Sequence, residues 1–237
     1  MCTSTFVSSC TQNIRNSVTY RSWFRSVYRE MASCSQTSGQ QFDFLLVLDF
    51  EATCAPRGET LQPQEILEFP CLKVSTQTGD VESQFHQYVK PRVHPQLTDF
   101  CTELTGIIQD MVDGQPHLEA VLEMFDDWMA KEGLLDGKTT SAFVTCGDWD
   151  LRTMLPGQCR HFNIKPKAYF SRWINIKKSC AEATSVFPRG MMGMLSMLHL
   201  PHTGRHHSGI DDCTNIAAAV KELIRRKYVF KHNGWLN

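Results

Sequence analysis

Leu45-Leu46-Val47-Leu48-Asp49-Phe50-Glu51-Ala52-Thr53-Cys54 is the stretch on which the fold turns. Its leading aliphatic residues, bounded by polar sequence, predict a buried strand. Two carboxylates follow, Asp49 and Glu51, two positions apart. On an extended chain such residues share a face, with Cα atoms about 6.6–6.8 Å apart. Like charges side by side at the end of a buried strand repel and are costly to desolvate. Divalent cations relieve both problems, and carboxylate oxygen suits Mg²⁺ or Mn²⁺ better than soft metals. The same pair solvated at the strand's mouth would need no ion, so the rest of the chain decides.

Working outward, residues 65–74 and 81–90 read as strands around Thr78-Gly79-Asp80, an antiparallel hairpin added to the first strand. After the breaker at 91–95, short helical pieces are expected around 98–104 and 107–113. Residues 117–131 repeat Leu118, Val121, Leu122, Phe125, Trp128 and Met129 at helical spacing, an amphipathic helix that stops at Gly133. A second buried strand at 141–146 runs into Asp148-Trp149-Asp150. Residues 151–162 look helical with Pro156-Gly157 interrupting, 169–176 partly extended, and 191–200 a short Met-rich helix that fills the core. The last helix, 211–227, has acids in its first turn and bases in its last, as the helix dipole favours. Strands first, then strand and helices in alternation, predict an α/β fold with a mixed sheet flanked by helices.

The 237 residues suffice for one sizeable core, and no apolar run approaches a membrane span. The ten cysteines are scattered without a CxxC pair, which favours a reducing, intracellular compartment, cytoplasm or nucleus. Cys54 and Cys146 are expected to pack as small buried apolar groups. The net charge of −1 hides an asymmetry. Residues 93–136 hold ten acids and one lysine, whereas residues 151–210 hold nine Lys/Arg and the single acid Glu182. Such a chain can offer a basic wall to a polyanion, although charges spread over solvated surface would read the same way. Residues 1–40 are Ser/Thr-rich with Arg15, Arg21, Arg25, Arg29 and one acid, Glu30. That is the composition of a mitochondrial transit peptide, of a disordered basic tail, or of sequence bypassed by initiation at Met31. The folded domain is expected over 41–237.

Three separated places now offer carboxylates at the ends of core elements: Asp49 with Glu51, Asp148 or Asp150, and Asp211 or Asp212. Just before the last pair stands Gly204-Arg205-His206-His207-Ser208-Gly209. With His207 in this Gly-bounded loop and Asp212 in the first helical turn, both can face one pocket. The segments LVLDFEATC, HPQLTDFCTELTGI, VTCGDWDLRTMLPGQC, WINIKK and GRHHSGIDDCTNIA resemble, in order, the motifs of DEDDh-type 3′–5′ exonucleases. Within that group they resemble the ERI-type exoribonucleases, from about residue 42 onward.

The resemblance implies a ribonuclease-H-like exonuclease fold. It assigns Asp49 and Glu51 to the first motif, Asp150 to the second, and His207 and Asp212 to the third. Asp148 and Asp211 are then neighbours with supporting roles, and His206 stands where the family usually has proline. Four clustered carboxylates need cations among them, so two Mg²⁺ (or Mn²⁺) held by Asp49, Glu51, Asp150 and Asp212 are expected to clamp a phosphodiester. His207, of a type that titrates near neutral pH, would be the general base. The expected reaction is hydrolysis of single-stranded RNA to nucleoside 5′-monophosphates, with single-stranded DNA and non-catalytic RNA or protein binding as alternatives. Polarity from the 3′ end, and Leu104, Thr105 and Gly106 as substrate-binding residues, come from the resemblance alone. Arg152, Lys177, Lys178 and Arg205 are candidates to track the phosphate backbone. Some ERI-type relatives carry a SAP domain that helps bind a histone-mRNA stem-loop, or a zinc finger. Neither is expected here, nor is a membrane partner.

Overall fold

The leading apolar run forms β1 (Phe44–Leu48), buried on both faces because helices cover both sides of the sheet. A computed structural model describes residues 39–59 and 61–236; the expected tail over 1–40 lies almost wholly outside them. Side chains alternate across the sheet at period two. Leu46 and Leu48 enter one core with Phe69, Phe85, Phe125, Phe143 and Trp173. Leu45 and Val47 enter the other with Leu72, Val74, Ile174, Ile216, Val220 and Leu223. Fully burying one such side chain contributes about 1.5–3 kcal/mol.

The remaining strands are β2 (Glu51–Ala52), β3 (Ile66–Ser75), β4 (Val81–Tyr88), β5 (Ser141–Thr145), β6 (Arg172–Asn175) and β7 (Gly234–Trp235). β3 pairs antiparallel with β4 on one side and with β1 and β2 on the other. β1, β5 and β6 run parallel, and β7 closes the far edge antiparallel to β6. The sheet is therefore mixed, as the order of elements predicted. Among the described residues no helix is long and apolar enough to cross a membrane.

Helices α1 (Asp99–Thr105), α2 (Gln109–Val112) and α3 (Leu118–Lys131) follow the hairpin. The Thr98 hydroxyl caps α1 by accepting from Cys101 N–H at 3.0 Å. α3 lays Leu118, Val121, Leu122, Phe125 and Met129 on the aromatic core. α4 (Leu155–His161) also serves that face, while α5 (Ile176–Thr184), α6 (Gly190–Leu198) and α7 (Gly209–Arg225) cover the other.

Two sequence expectations need correction. The first strand is not continuous through its acids: it stops at Leu48 and resumes at Glu51. The register that sets Leu48 against Cys71 and Glu51 against Glu68 leaves Asp49 and Phe50 opposite Pro70 and Phe69. Pro70 has no N–H to donate, so the ladder lapses where the acids begin. Pro156-Gly157 does not interrupt its helix either. A wide π-turn over Asp150–Met154 runs straight into α4, and Pro156 lies just past the junction between the two helical forms. β7, a two-residue edge, is too short to show a strand pattern in the sequence.

Candidate active site

The lapse between β1 and β2 delivers Asp49 and Glu51 to the mouth of the sheet, with Asp49 half-buried and Glu51 nearly enclosed. It also frees the Phe50 N–H, which donates to Asp150 Oδ1 at 2.9 Å. Asp150 opens the π-turn after β5 and is buried. A π-turn re-aims side chains by one residue relative to an α-helix, and such turns are frequent at functional sites. Asp148, two residues earlier, faces elsewhere: it accepts from Trp173 Nε1 at 2.9 Å and pairs with Lys178 at 3.1 Å. Its role is to tie the turn to β6 and α5.

The third contribution comes from the start of α7. Asp211 accepts the Arg205 N–H at 2.8 Å and fills the space beside Gly204, which fixes the loop. Asp212 Oδ2 accepts the His207 N–H at 3.1 Å. His207 adopts φ 67°, in the left-handed region that side chains other than glycine rarely enter, as residues at functional sites often do. One ligand atom from each of Asp49, Glu51 and Asp212 lies within 4.8 Å of the others. Asp49, Glu51, Asp150, His207 and Asp212 all line one cavity of about 520 Å³.

Burial first, then the charges of Asp150, Glu51, Asp212 and Glu68, push the Asp49 carboxyl well above the usual carboxylate range. Burial, then Asp212, Glu68 and Asp150, push Glu51 up to about 9. Burial raises Asp150 to about 6 against the opposing pull of the Phe50 N–H and Lys177. Asp212 is raised, again mainly by burial. His207 is lowered by burial and then by His206, which keeps its imidazole neutral near pH 7. Acids driven this far toward protonation call for positive charge among them. Asp212 Oδ1 is buried without a hydrogen-bond partner and the other donors are carboxylate oxygens, so the set fits hard divalent cations.

The remaining sequence candidates divide. Leu104, half-buried, lines the cavity. Thr105 and Gly106 stand behind it, outside the walls. The Thr105 hydroxyl donates to Cys101 O at 2.8 Å and accepts the Ile107 N–H at 3.1 Å. Gly106, at φ 80°, ends α1 and leaves room for the Arg205 side chain, which donates to the Glu103 carbonyl. Lys178 is tied to Asp148, whereas Lys177 stands beside Gly147, near Asp150. Trp149, 39% exposed, and Phe50, buried against Phe69, both line the cavity.

Sequence reasoning missed Glu68, whose buried carboxylate accepts the N–H groups of Gly209 and Ile210. It also missed the start of α6, since Arg189, Gly190, Met191 and Met192 form part of the wall. That corrects the reading of the Met-rich helix as core alone. Cys54 and Cys146 are likewise only half-buried and line the cavity; all seven described cysteines are free. The register pairing Glu51 with Glu68 was the missing signal for Glu68, and it is not visible along one strand.

A sequence profile of the family described as "Exonuclease" matches residues 46–220. The chain is 55% identical over 202 residues to ERI1 exoribonuclease 3 of Homo sapiens, covering 85% of this chain and 59% of that protein. It is 36% identical to ERI1 exoribonuclease 2 of Danio rerio, covering 83% of this chain and 38% of the relative. It thus spans less than two thirds of those relatives. Among solved structures, the nuclease domain of 3′hExo, a DEDDh family member bound to rAMP, superposes with TM-score 0.78 at 36% identity. That match covers 83% of this chain and 98% of the other. The 3′-exonuclease in a structure of 3′-end-specific recognition of histone mRNA stem-loop superposes with TM-score 0.84 at 32% identity. It covers 96% of this chain and 79% of that one.

Proposed function

The chain belongs to the DEDDh exonuclease family, and from that premise we propose that it is a divalent-metal-dependent 3′–5′ exoribonuclease acting on single-stranded RNA ends. The observation that carries this reading is the convergence of Asp49, Glu51, Asp150, Asp212 and His207 on one cavity, with the acids driven toward protonation. Asp49, Glu51, Asp150 and Asp212 would hold Mg²⁺ or Mn²⁺, which would supply charge neutralisation at the phosphodiester and lower the pKa of the attacking water. His207, neutral near pH 7 and placed on a loop facing the cavity, accepts the proton of that water at a ring nitrogen. The backbone hydrogen bond from Phe50 fixes Asp150, and that from His207 fixes Asp212, so the acids are positioned before substrate arrives. Leu104 offers an apolar wall to the terminal nucleoside, supported from behind by Thr105 and Gly106. Lys177 supplies positive charge near Asp150 where phosphate would lie. No side chain is required as nucleophile: water attacks the terminal phosphodiester, the P–O3′ bond breaks with the 3′-oxygen leaving on the shortened RNA, and the products are nucleoside 5′-monophosphates.

The test is incubation of 5′-labelled RNA and DNA oligonucleotides with Mg²⁺, Mn²⁺ or EDTA. A ladder shortening RNA from its 3′ end, absent with EDTA and in Asp49→Asn, is expected. Internal cleavage, or undiminished activity of Asp49→Asn, would overturn the assignment. Equal or faster shortening of DNA would move the substrate, not the site.

A further inference from the structure

We propose that His206, His207 and Asp212 form a second cation site, selective for Zn²⁺, whose filling switches off the oxygen cage beside it. One ligand atom from each of the three residues lies within 4.8 Å of the others. The two imidazoles stack with centroids 3.9 Å apart and planes 30° from parallel, and both line the cavity beside Asp212. Asp212 is 4% exposed, and its Oδ1 has no hydrogen-bond partner. Its other oxygen is already held by the His207 N–H, which leaves Oδ1 to be satisfied by something absent from the chain. His206 is exposed, so an ion can enter from solvent and meet the buried oxygen last.

The donor set decides the metal. Asp49, Glu51 and Asp212 offer oxygen only, the preference of Mg²⁺ and Mn²⁺. His206, His207 and Asp212 offer two imidazole nitrogens and one oxygen, the composition of open zinc sites with three protein ligands. A further imidazole stands behind: His202 lies edge-on to His206 at 6.1 Å, and its Nε2 is buried without a partner. Asp212 belongs to both sets, so the two occupancies compete for it. An imidazole whose lone pair is given to zinc cannot take a proton from water. That inhibitory consequence rests on the reading of His207 as base; the zinc binding does not.

The full chain, stripped of metal, is titrated with Zn²⁺ by calorimetry and with Co²⁺ as a visible-absorbing stand-in. One Zn²⁺ per chain is expected, bound more tightly than Mn²⁺, with the intense Co²⁺ bands of a site of low coordination number. His206→Ala should weaken Zn²⁺ by at least about tenfold and abolish those bands. His206→Gln, which keeps a polar side chain on the loop, should do the same, with circular dichroism confirming that both variants fold. Unchanged zinc affinity in both variants, or the weak Co²⁺ spectrum of an octahedral oxygen site, would overturn the proposal. In the companion assay, Zn²⁺ should inhibit Mg²⁺-supported RNA shortening, and His206→Ala should need about ten times more Zn²⁺. Zinc ligation without any RNA hydrolysis would sink the exonuclease reading and leave this site standing. Hydrolysis with no His206-dependent ligation would do the reverse.

Discussion

The Glu68 carboxylate accepts the backbone N–H of Gly209 at 2.9 Å and that of Ile210 at 3.1 Å, and so caps the last helix from a different element of the fold. The first N–H groups of a helix have no partner within it and carry its positive end. Glu68 satisfies two of them and is itself held by His86 Nε2 at 2.8 Å. Because Asp212 lies in the first turn of α7, this bond sets how close Asp212 comes to Asp49.

Removing that carboxylate has a definite cost. Glu68→Ala leaves the buried Gly209 N–H and the half-buried Ile210 N–H unpaired and is expected to destabilise the fold by about 2–4 kcal/mol. RNA hydrolysis should fall at least about tenfold even at temperatures where the variant is folded, since 1.4 kcal/mol of misplacement suffices for that. Urea unfolding and the RNA assay read both. Stability within about 0.5 kcal/mol of the parent would show that water replaces the cap.

Gly209 is constrained by close approach and not by backbone conformation. A Cβ there would stand 2.9 Å from the Asp49 carbonyl oxygen and 3.1 Å from both Glu68 Oε2 and Pro70 Cγ. Two of those neighbours belong to the site or its cap, so the helix would have to retreat from the sheet. Gly209→Ala should cost about 1–3 kcal/mol of stability and most of the activity. Activity equal to the parent's would mean that the α7 start can shift without moving Asp212.

Much of this arrangement was legible from one strand at a time. The apolar run at 45–48 and the helical spacing of Leu118, Val121, Phe125 and Met129 each reflect a local period, and both came through. Asp49 and Glu51, Asp148 or Asp150, and Asp211 or Asp212 stood out because each follows or begins a core element, and the family resemblance singled out Asp150 and Asp212. Glu68 did not, although it is as deeply buried, because its partners arrive 141 and 142 residues later in the chain. The break at Asp49 was hidden for a related reason, since it is caused by Pro70 on the neighbouring strand. The metal-side wall from α6 was obscured by composition, because Met191 and Met192 read as core whichever way they face.

Asp150 separates charge from hydrogen bonding. Asp150→Asn keeps an oxygen for the Phe50 N–H but removes one negative charge from the cluster. In the absence of metal it is expected to be as stable as the parent or more so by about 1–2 kcal/mol, while hydrolysis falls by at least about a hundredfold. Asp150→Ala leaves the Phe50 N–H unpaired and should lose about 1–3 kcal/mol. Thermal unfolding in EDTA distinguishes the two. Equal destabilisation of both variants would remove charge repulsion as a feature of the metal-free site.

The same repulsion fixes how stability responds to pH. Glu51 is raised from 4.5 to about 9 and Asp150 from 3.8 to about 6, chiefly by burial. In the unfolded chain both titrate near their ordinary values. Between the unfolded and folded values the folded chain binds the extra proton, so its stability falls as pH rises. The window runs from about 4 to 6 for Asp150 and from about 4.5 to 9 for Glu51. A divalent cation binds only the deprotonated cage, and its stabilisation therefore grows over the same range. Saturating Mg²⁺ should raise the unfolding temperature by several degrees more at pH 8 than at pH 6, a difference on the order of 1–3 kcal/mol. Glu51→Gln should flatten that dependence, because the group with the widest window can no longer titrate. A Mg²⁺ effect that is constant with pH, or larger at pH 6, would mean that the carboxylates are already ionised without metal, and the electrostatic case for the cation cage would fail with it.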